Sequence, residues 1–343
     1  MVDVENLVRL IFSSRAGPRF HDVAEHAFDD LDVGFSHWFQ ENIAPQVDEF
    51  ESKRRKTLVV LQFRMHVAIT VVAAAIFVGG ILISMVERPL VGLFGLVLFS
   101  KLIVAWAYNP VIEYESEIKW KIFPLLFQYF GPDFTYQEEG ELSAEKMCNS
   151  GIIPDFRDED REDYVRGTRH GIRLELTETK LTKERYIGKL RQTVTVFRGM
   201  LLLLTVNKPF AGQTVLKQDQ GGVLNFFSKP AGSAYETVKL EDPEFERIFE
   251  VYSTDQVEAR YLLTPSFMER LIELKTLFRG SAIQGSFFQN KLLLTFSSDF
   301  DRFEAGSVFV PVTFIDEART VVREMTEIFR IIDTLKLTDR TGL

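Results

Sequence analysis

The chain has 343 residues, a formal charge of −9, 31 phenylalanines and a single cysteine, Cys148. That length allows about two domains, and so many phenylalanines point to a packed core and away from disorder. The acidic balance excludes an ordinary nucleic-acid partner, which asks for a basic face. One cysteine excludes an internal disulfide and a zinc site built on several thiolates.

Residues 4–12 place Val4, Leu7, Val8, Ile11 and Phe12 on one helical face. They read as an amphipathic helix, not as a basic stretch followed by an apolar run. Gly17-Pro18 ends it, and residues 19–31 predict a second helix. His21, Asp22, Glu25 and His26 lie there, but not at the i, i+4 histidine spacing of a zinc helix, so a solvated face is expected. Residues 35–56, interrupted at Pro45, carry an apolar stripe of Phe39, Ile43, Val47 and Phe50.

Two apolar runs follow. Residues 67–85 hold no charge, and about 19 positions at 1.5 Å each cross roughly 28 Å of hydrocarbon. Residues 89–108 are apolar except for Lys101, and only Val86-Glu87-Arg88 separate the two runs. This is the pattern of a membrane hairpin. Lys53, Arg54, Arg55 and Lys56 precede it, Lys119 and Lys121 follow it, and the turn carries Arg88 offset by Glu87. The positive-inside rule then makes both termini cytoplasmic. The four-residue basic run is assigned to anchoring at anionic headgroups. Lys101 is read as snorkelling toward the interface, and Trp106 and Tyr108 as interfacial anchors. Gly79-Gly80 and the Gly92, Gly95 pair offer close helix approach.

Residues 109–130 continue as a stalk helix containing Pro110 and Pro124, stopped by Gly131-Pro132. Residues 133–163 are rich in acids and read as a solvated connector with one short helix at 143–149. They lack the pattern of a calcium loop. From Tyr164 the period changes to two. Strands are expected at 164–170 and 172–179 around His170-Gly171, at 194–206 as a central buried strand, and at 214–217. A glycine-rich loop spans 220–233.

The stretch EDPEFERIFEVYSTDQVEARYLLTP, residues 241–265, is the most distinctive in the chain, with VFRGMLLLLTVNKPFAGQTV at 196–215 before it. Together they resemble the bacterial membrane-protein family known as domain of unknown function 3137. The resemblance covers about residues 56–300. It implies a two-span hairpin followed by a cytoplasmic α+β domain, and it carries over no catalytic or ligand residue. Ser253 and Gln256 have capping-box spacing, with Asp255 in the first turn. Thr264-Pro265 is a cap followed by proline at the first helical position. Short helices follow at 254–262 and 265–278. Asp242, Asp255, Arg260 and Tyr261 are the candidate structural or partner-binding residues, with Arg260 expected in an ion pair to Glu258, Asp255 or Asp242. A hairpin at 282–288 and 291–297 turns on Gln289-Asn290, and 316–335 forms a closing helix.

The fold class expected is α+β, divided as 1–56 helices, 57–109 hairpin, 110–132 stalk, 133–163 connector, 164–337 α+β domain and 338–343 tail. No nucleophile elbow, phosphate loop, dinucleotide fingerprint or zinc helix motif occurs. The expectation is a non-enzymatic adaptor without metal or cofactor, at the bacterial inner membrane. Its partners are the lipid bilayer and a protein or a second copy. The alternatives are an enzyme using acids beneath the 220–233 loop, and a small transporter or channel subunit using Lys101.

Overall fold

The protein is described by a computed structural model over residues 33–83, 89–187, 190–207, 209–218, 234–278, 282–298, 308–309 and 315–340. The expected helices at 4–12 and 19–31, with their His21, Asp22, Glu25 and His26, and the 220–233 loop fall outside these residues. The chain divides into two compact units, Met1–Leu126 with Glu304–Arg319, and Phe127–Phe303 with Thr320–Leu343.

The first unit is helical: α1 (Val33–Asn42), α2 (Ala44–Ile83) and α3 (Pro89–Gln128). The chain turns at Ile43, between α1 and α2, where Pro45 enters the first turn of α2. Each 40-residue helix is about 60 Å long. Toward the start of α2 and the end of α3 they pack tightly. Phe35, Phe39, Ile43, Val47, Phe50, Leu61, Met65 and Ala68 are buried, as are Ala107, Val111, Tyr114, Ile118 and Ile122 of α3. These recur at three- and four-residue steps, the spacing of one helical face. Toward the end of α2 and the start of α3 the burial falls away, and Phe77, Leu90 and Val91 are 72%, 78% and 69% exposed. A Cβ at Gly79 there would stand 3.4 Å from Leu96 of α3, whereas one at Gly80 or Gly95 would meet nothing within 4 Å among the described residues.

Proline inside α3 has a visible consequence. Pro110 has no N–H, so the carbonyl of Trp106 lacks its intrahelical donor. Arg64 of α2 supplies one, its Nη1 donating to that carbonyl at 3.2 Å while the guanidinium lies 5.0 Å from the Trp106 ring centroid.

The second unit is built on a nine-stranded antiparallel sheet of order β1-β2-β3-β4-β9-β8-β5-β7-β6. The strands are β1 (Thr135–Gln137), β2 (Asp158–Arg169), β3 (Ile172–Ile187), β4 (Leu190–Thr205), β5 (Thr214–Gln218), β6 (Glu236–Val238), β7 (Phe249–Ser253), β8 (Ile283–Phe288) and β9 (Lys291–Ser297). With its helices this is an α+β fold. The strongly apolar β4 lies fourth in the order, and its residues Met200 to Leu204 are buried on both faces, as a central strand requires. Two tight hairpins frame it. His170 (φ 52°) with Gly171 (φ 84°), and Gln289 (φ 49°) with Asn290 (φ 58°), adopt the paired positive φ of a primed turn.

Helices lie on one face of the sheet: α4 (Pro243–Ile248) and α5 (Gln256–Leu262) are short, α6 (Pro265–Leu277) and α7 (Ile315–Arg340) longer. Phe267 of α6 packs on Phe287 and Phe278 on Phe296, with ring centroids 5.5 and 4.5 Å apart. Phe329 of α7 meets Phe130 and Phe134 edge-on. On the opposite face Leu142, Ala144, Met147 and Ile152 close a cluster with Leu181, Phe197, Leu201, Leu203, Val215 and Leu293.

Those residues correct one expectation. The stretch 133–163 is not a solvated connector. It forms β1, a 3-10 helix at Glu145–Ser150 and the first half of β2, and its Leu142, Ala144, Met147 and Ile152 are buried in the cluster on the sheet. Polar contacts within the stretch help hold it: the Glu159 carboxylate accepts from the Ala144 N–H at 2.7 Å, and Arg161 donates to the Gly140 carbonyl at 2.9 Å.

Candidate functional site

The 241–265 stretch runs through α4, β7 and α5 to the start of α6, and its acids have a common use. Asp242 caps α4, its Oδ1 accepting from the N–H of Glu244 and Phe245. Asp255 caps α5 in the same way, accepting from Val257 and Glu258. Glu246 accepts from the Leu240 N–H at 2.7 Å. Glu258 reaches out of its helix and takes both N–H groups of Ala211 and Gly212, at 2.8 and 2.6 Å. A Cβ on Gly212 would stand 2.6 Å from Glu258 Oε2, so any larger residue there would push that carboxylate aside. Thr264 caps α6 through Phe267 N–H.

Two details differ from the sequence reading. Ser253 is not the cap of α5; its hydroxyl lies 2.9 Å from that of Thr214 and donates to the Asp255 carbonyl, while Asp255, two residues on, takes the helix N–H groups. Among the described residues Arg260 makes no ion pair. It folds back along α5 to the Gln256 carbonyl at 3.1 Å and side chain at 3.5 Å, the shorter path for an exposed guanidinium. Tyr261 is 50% exposed and Val257, one turn earlier, 79%.

Beside this stretch lies a polar knot that the sequence did not indicate. Gln213 Nε2 donates to the carbonyls of Asn149 and Ser150 at 2.9 and 2.7 Å, and its Oε1 accepts from the Tyr235 hydroxyl at 2.6 Å. Ser286 donates to the Ser150 carbonyl as well, at 2.6 Å. The knot fastens the end of the 3-10 helix to β5 and β8. Burial pushes the Tyr235 phenol up in pKa and the Lys217 ammonium on β5 down. Elsewhere in the unit, Tyr164 donates to Glu175 at 3.0 Å, and burial followed by that carboxylate raises its pKa. His170 Nδ1 lies 2.7 Å from Asp333, and Arg169 lies 4.3 Å from the centroid of Phe329. Asp160, Glu162, Glu178, Lys180 and Arg198 line a surface cleft. Among the described residues, no group of three or more histidine, cysteine or acidic side chains could hold a metal ion.

The residues assigned to anchoring separate into two groups. Arg54 is turned inward and is 1% exposed. Its Nε and Nη2 grip the Glu51 carboxylate at 2.7 and 2.8 Å, and its Nη1 donates to the Val308 carbonyl at 3.0 Å. That takes Arg54 out of reach of headgroups, because a buried guanidinium without its carboxylate is costly. Lys53 pairs with Glu117, and Arg55 shares Glu51 at 2.8 Å. Lys56 and Lys101 are exposed, Trp106 is 46% exposed beneath Arg64, and Tyr108 is half-buried.

Residues 195–337 match the family model described as "Protein of unknown function (DUF3137)". The matched stretch contains the capped acids, most of β4 and the β8–β9 hairpin, so the resemblance read from the sequence is supported. A solved structure, the crystal structure of the mycobacterial trehalose monomycolate transport factor A, is similar over 58% of this chain and 88% of that one, at 13% identity and a TM-score of 0.30. No curated protein matches the chain.

Proposed function

We propose that the chain is a membrane-anchored, non-enzymatic adaptor. The hairpin of α2 and α3 spans the bacterial inner membrane with both termini in the cytoplasm, and the β-rich unit binds a protein or lipid partner there. The observation that carries this reading is the outward-facing apolar surface of the hairpin. Two helices long and apolar enough to cross a membrane, Ala44–Ile81 and Leu90–Gln128, bury little of their most apolar windows. An apolar surface of that extent is one that water does not favour and lipid does.

The fate of the signature acids supports the non-enzymatic part. Asp242, Glu246, Asp255 and Glu258 each spend a carboxylate on backbone N–H groups, which is the chemistry of holding short elements in place. The exposed α5 surface at Val257, Arg260 and Tyr261 then offers a contact for a partner. Affinity purification of the tagged chain in detergent, with mass measurement of the complex, tests the reading. A second polypeptide or a second copy is expected. A lone monomer carrying a tightly held small molecule would refute the adaptor.

A further inference from the structure

Strands β3 and β4 are both 16 residues long and outrun their neighbours. β2 leaves β3 at Thr182, and β9 leaves β4 at Gly199. Beyond those points the five pairs Lys183↔Val194, Glu184↔Thr193, Arg185↔Gln192, Tyr186↔Arg191 and Ile187↔Leu190 have no third strand beside them among the described residues. A two-stranded ribbon is marginal in water by itself, so a surface that receives it adds to its stability.

The composition of this end points to the surface. In a chain of net charge −9, the described ribbon residues carry Lys183, Arg185 and Arg191 against the single acid Glu184. Glu184 is held between Arg157 and Arg191, and Lys183 pairs with Asp155. Arg185 is exposed and makes no ion pair among the described residues. Tyr186 is 69% exposed. Alternation along the strand puts Lys183 and Arg185 on one face of the ribbon and Tyr186, with Arg191 opposite it, on the other. Cations on both faces and a tyrosine form the set that a lipid headgroup layer accepts: basic side chains go to phosphate, and rings with a polar tip go to the interface.

We propose that the free end of the β3–β4 ribbon, through Lys183, Arg185, Tyr186 and Arg191, docks on an anionic phospholipid surface. The inference rests on the membrane-anchored reading, because a chain held by two spans keeps its other unit at high effective concentration near the bilayer. The β-rich unit then touches lipid directly, with an affinity that salt weakens.

The test uses the full chain with Cys148→Ser and Gln192→Cys. A polarity-sensitive fluorophore on the new thiol sits opposite Arg185 and leaves Tyr186 in place. The protein is reconstituted in vesicles of phosphatidylcholine, with or without phosphatidylglycerol, and flotation verifies insertion. Docking gives a blue-shifted emission, quenched by brominated lipid, in the phosphatidylglycerol vesicles only. Arg185→Glu in the same background reduces the docked fraction about fivefold or more, at about one surface contact per charge. Water-like emission in both vesicles, with the chain still inserted, refutes the ribbon's docking and leaves the anchor standing. A shift that is equal in both vesicles and grows with protein density assigns the ribbon to a second copy and refutes the lipid contact. A chain that does not float with vesicles refutes the membrane reading as well.

Discussion

Glu258 is the residue on which the geometry of the 241–265 stretch depends most directly. Its two oxygens replace water for two neighbouring N–H groups outside its own helix, those of Ala211 and Gly212. Glu258→Ala leaves both donors to find solvent, and the loss expected is about 1–3 kcal/mol. Glu258→Gln keeps one acceptor oxygen and should lose less. Chemical denaturation of the detergent-solubilised protein, followed by the β signal in circular dichroism, measures both; equal losses would mean that packing, not the carboxylate, is at stake. A second residue governs alkaline behaviour. The Tyr164 phenol has a raised pKa in the fold because it is buried and donates to Glu175. A raised value means that the folded state prefers the proton. The stability this lends is fully present below the unfolded tyrosine pKa of about 10 and is lost as pH climbs from there through the folded value. Tyr164→Phe should therefore flatten the fall of the denaturation midpoint above about pH 10; an unchanged slope would place the alkaline loss elsewhere.

At the scale of elements, Arg64 and Pro110 form a pair across α2 and α3. The proline removes an N–H and the arginine repairs the loss at the Trp106 carbonyl. Arg64→Leu should cost about 1–3 kcal/mol in the native background. In a Pro110→Ala background, where the helix can supply its own donor, the same change should cost less, giving a coupling of about 1 kcal/mol in a double-mutant cycle read by thermal unfolding in detergent. Additive effects would show that the two residues do not share a function. How legible such elements are from sequence depends on whether their signals are local. The apolar runs of α2 and α3, the alternation of β3, the Thr264-Pro265 start of α6 and the Gln289-Asn290 turn all lie within a few residues. The 133–163 stretch was misread because its pattern is not local. β2 begins with acids that alternate only between exposed and half-buried, and its first fully buried residues are Asp163, Tyr164 and Val165. The apolar residues of the 3-10 segment are sparse and make sense only against β4 and β9. Arg54 was misread for a related reason: one base in a run of four looks like its neighbours until Glu51 and Val308 are placed beside it. The Gln213 knot joins residues from 149 to 286 and leaves no periodic trace at all.

At the scale of the whole molecule, the chain's only cysteine gives access to topology. Cys148 is exposed in the β-rich unit. Burial of its sulfur, followed by Glu145, Glu159 and Asp155, raises its pKa, so the reactive thiolate is scarce at neutral pH and labelling belongs at mildly alkaline pH. If the hairpin spans the inner membrane with both flanks in the cytoplasm, a membrane-impermeant maleimide should leave Cys148 untouched in spheroplasts and label it in inverted vesicles. A Glu87→Cys change in a Cys148→Ser background puts the only thiol between the two apolar runs, and it should show the opposite pattern. The pair of results is needed because each excludes a different error. Both sites labelled from the same side would mean that the apolar helices lie on the membrane without crossing it. Each site labelled from the opposite side to that expected would keep the spans but turn the protein over, placing the capped signature and the exposed α5 surface outside the cytoplasm. Only the expected pattern leaves Lys53, Arg55 and Lys56 on the side where the positive-inside rule puts them.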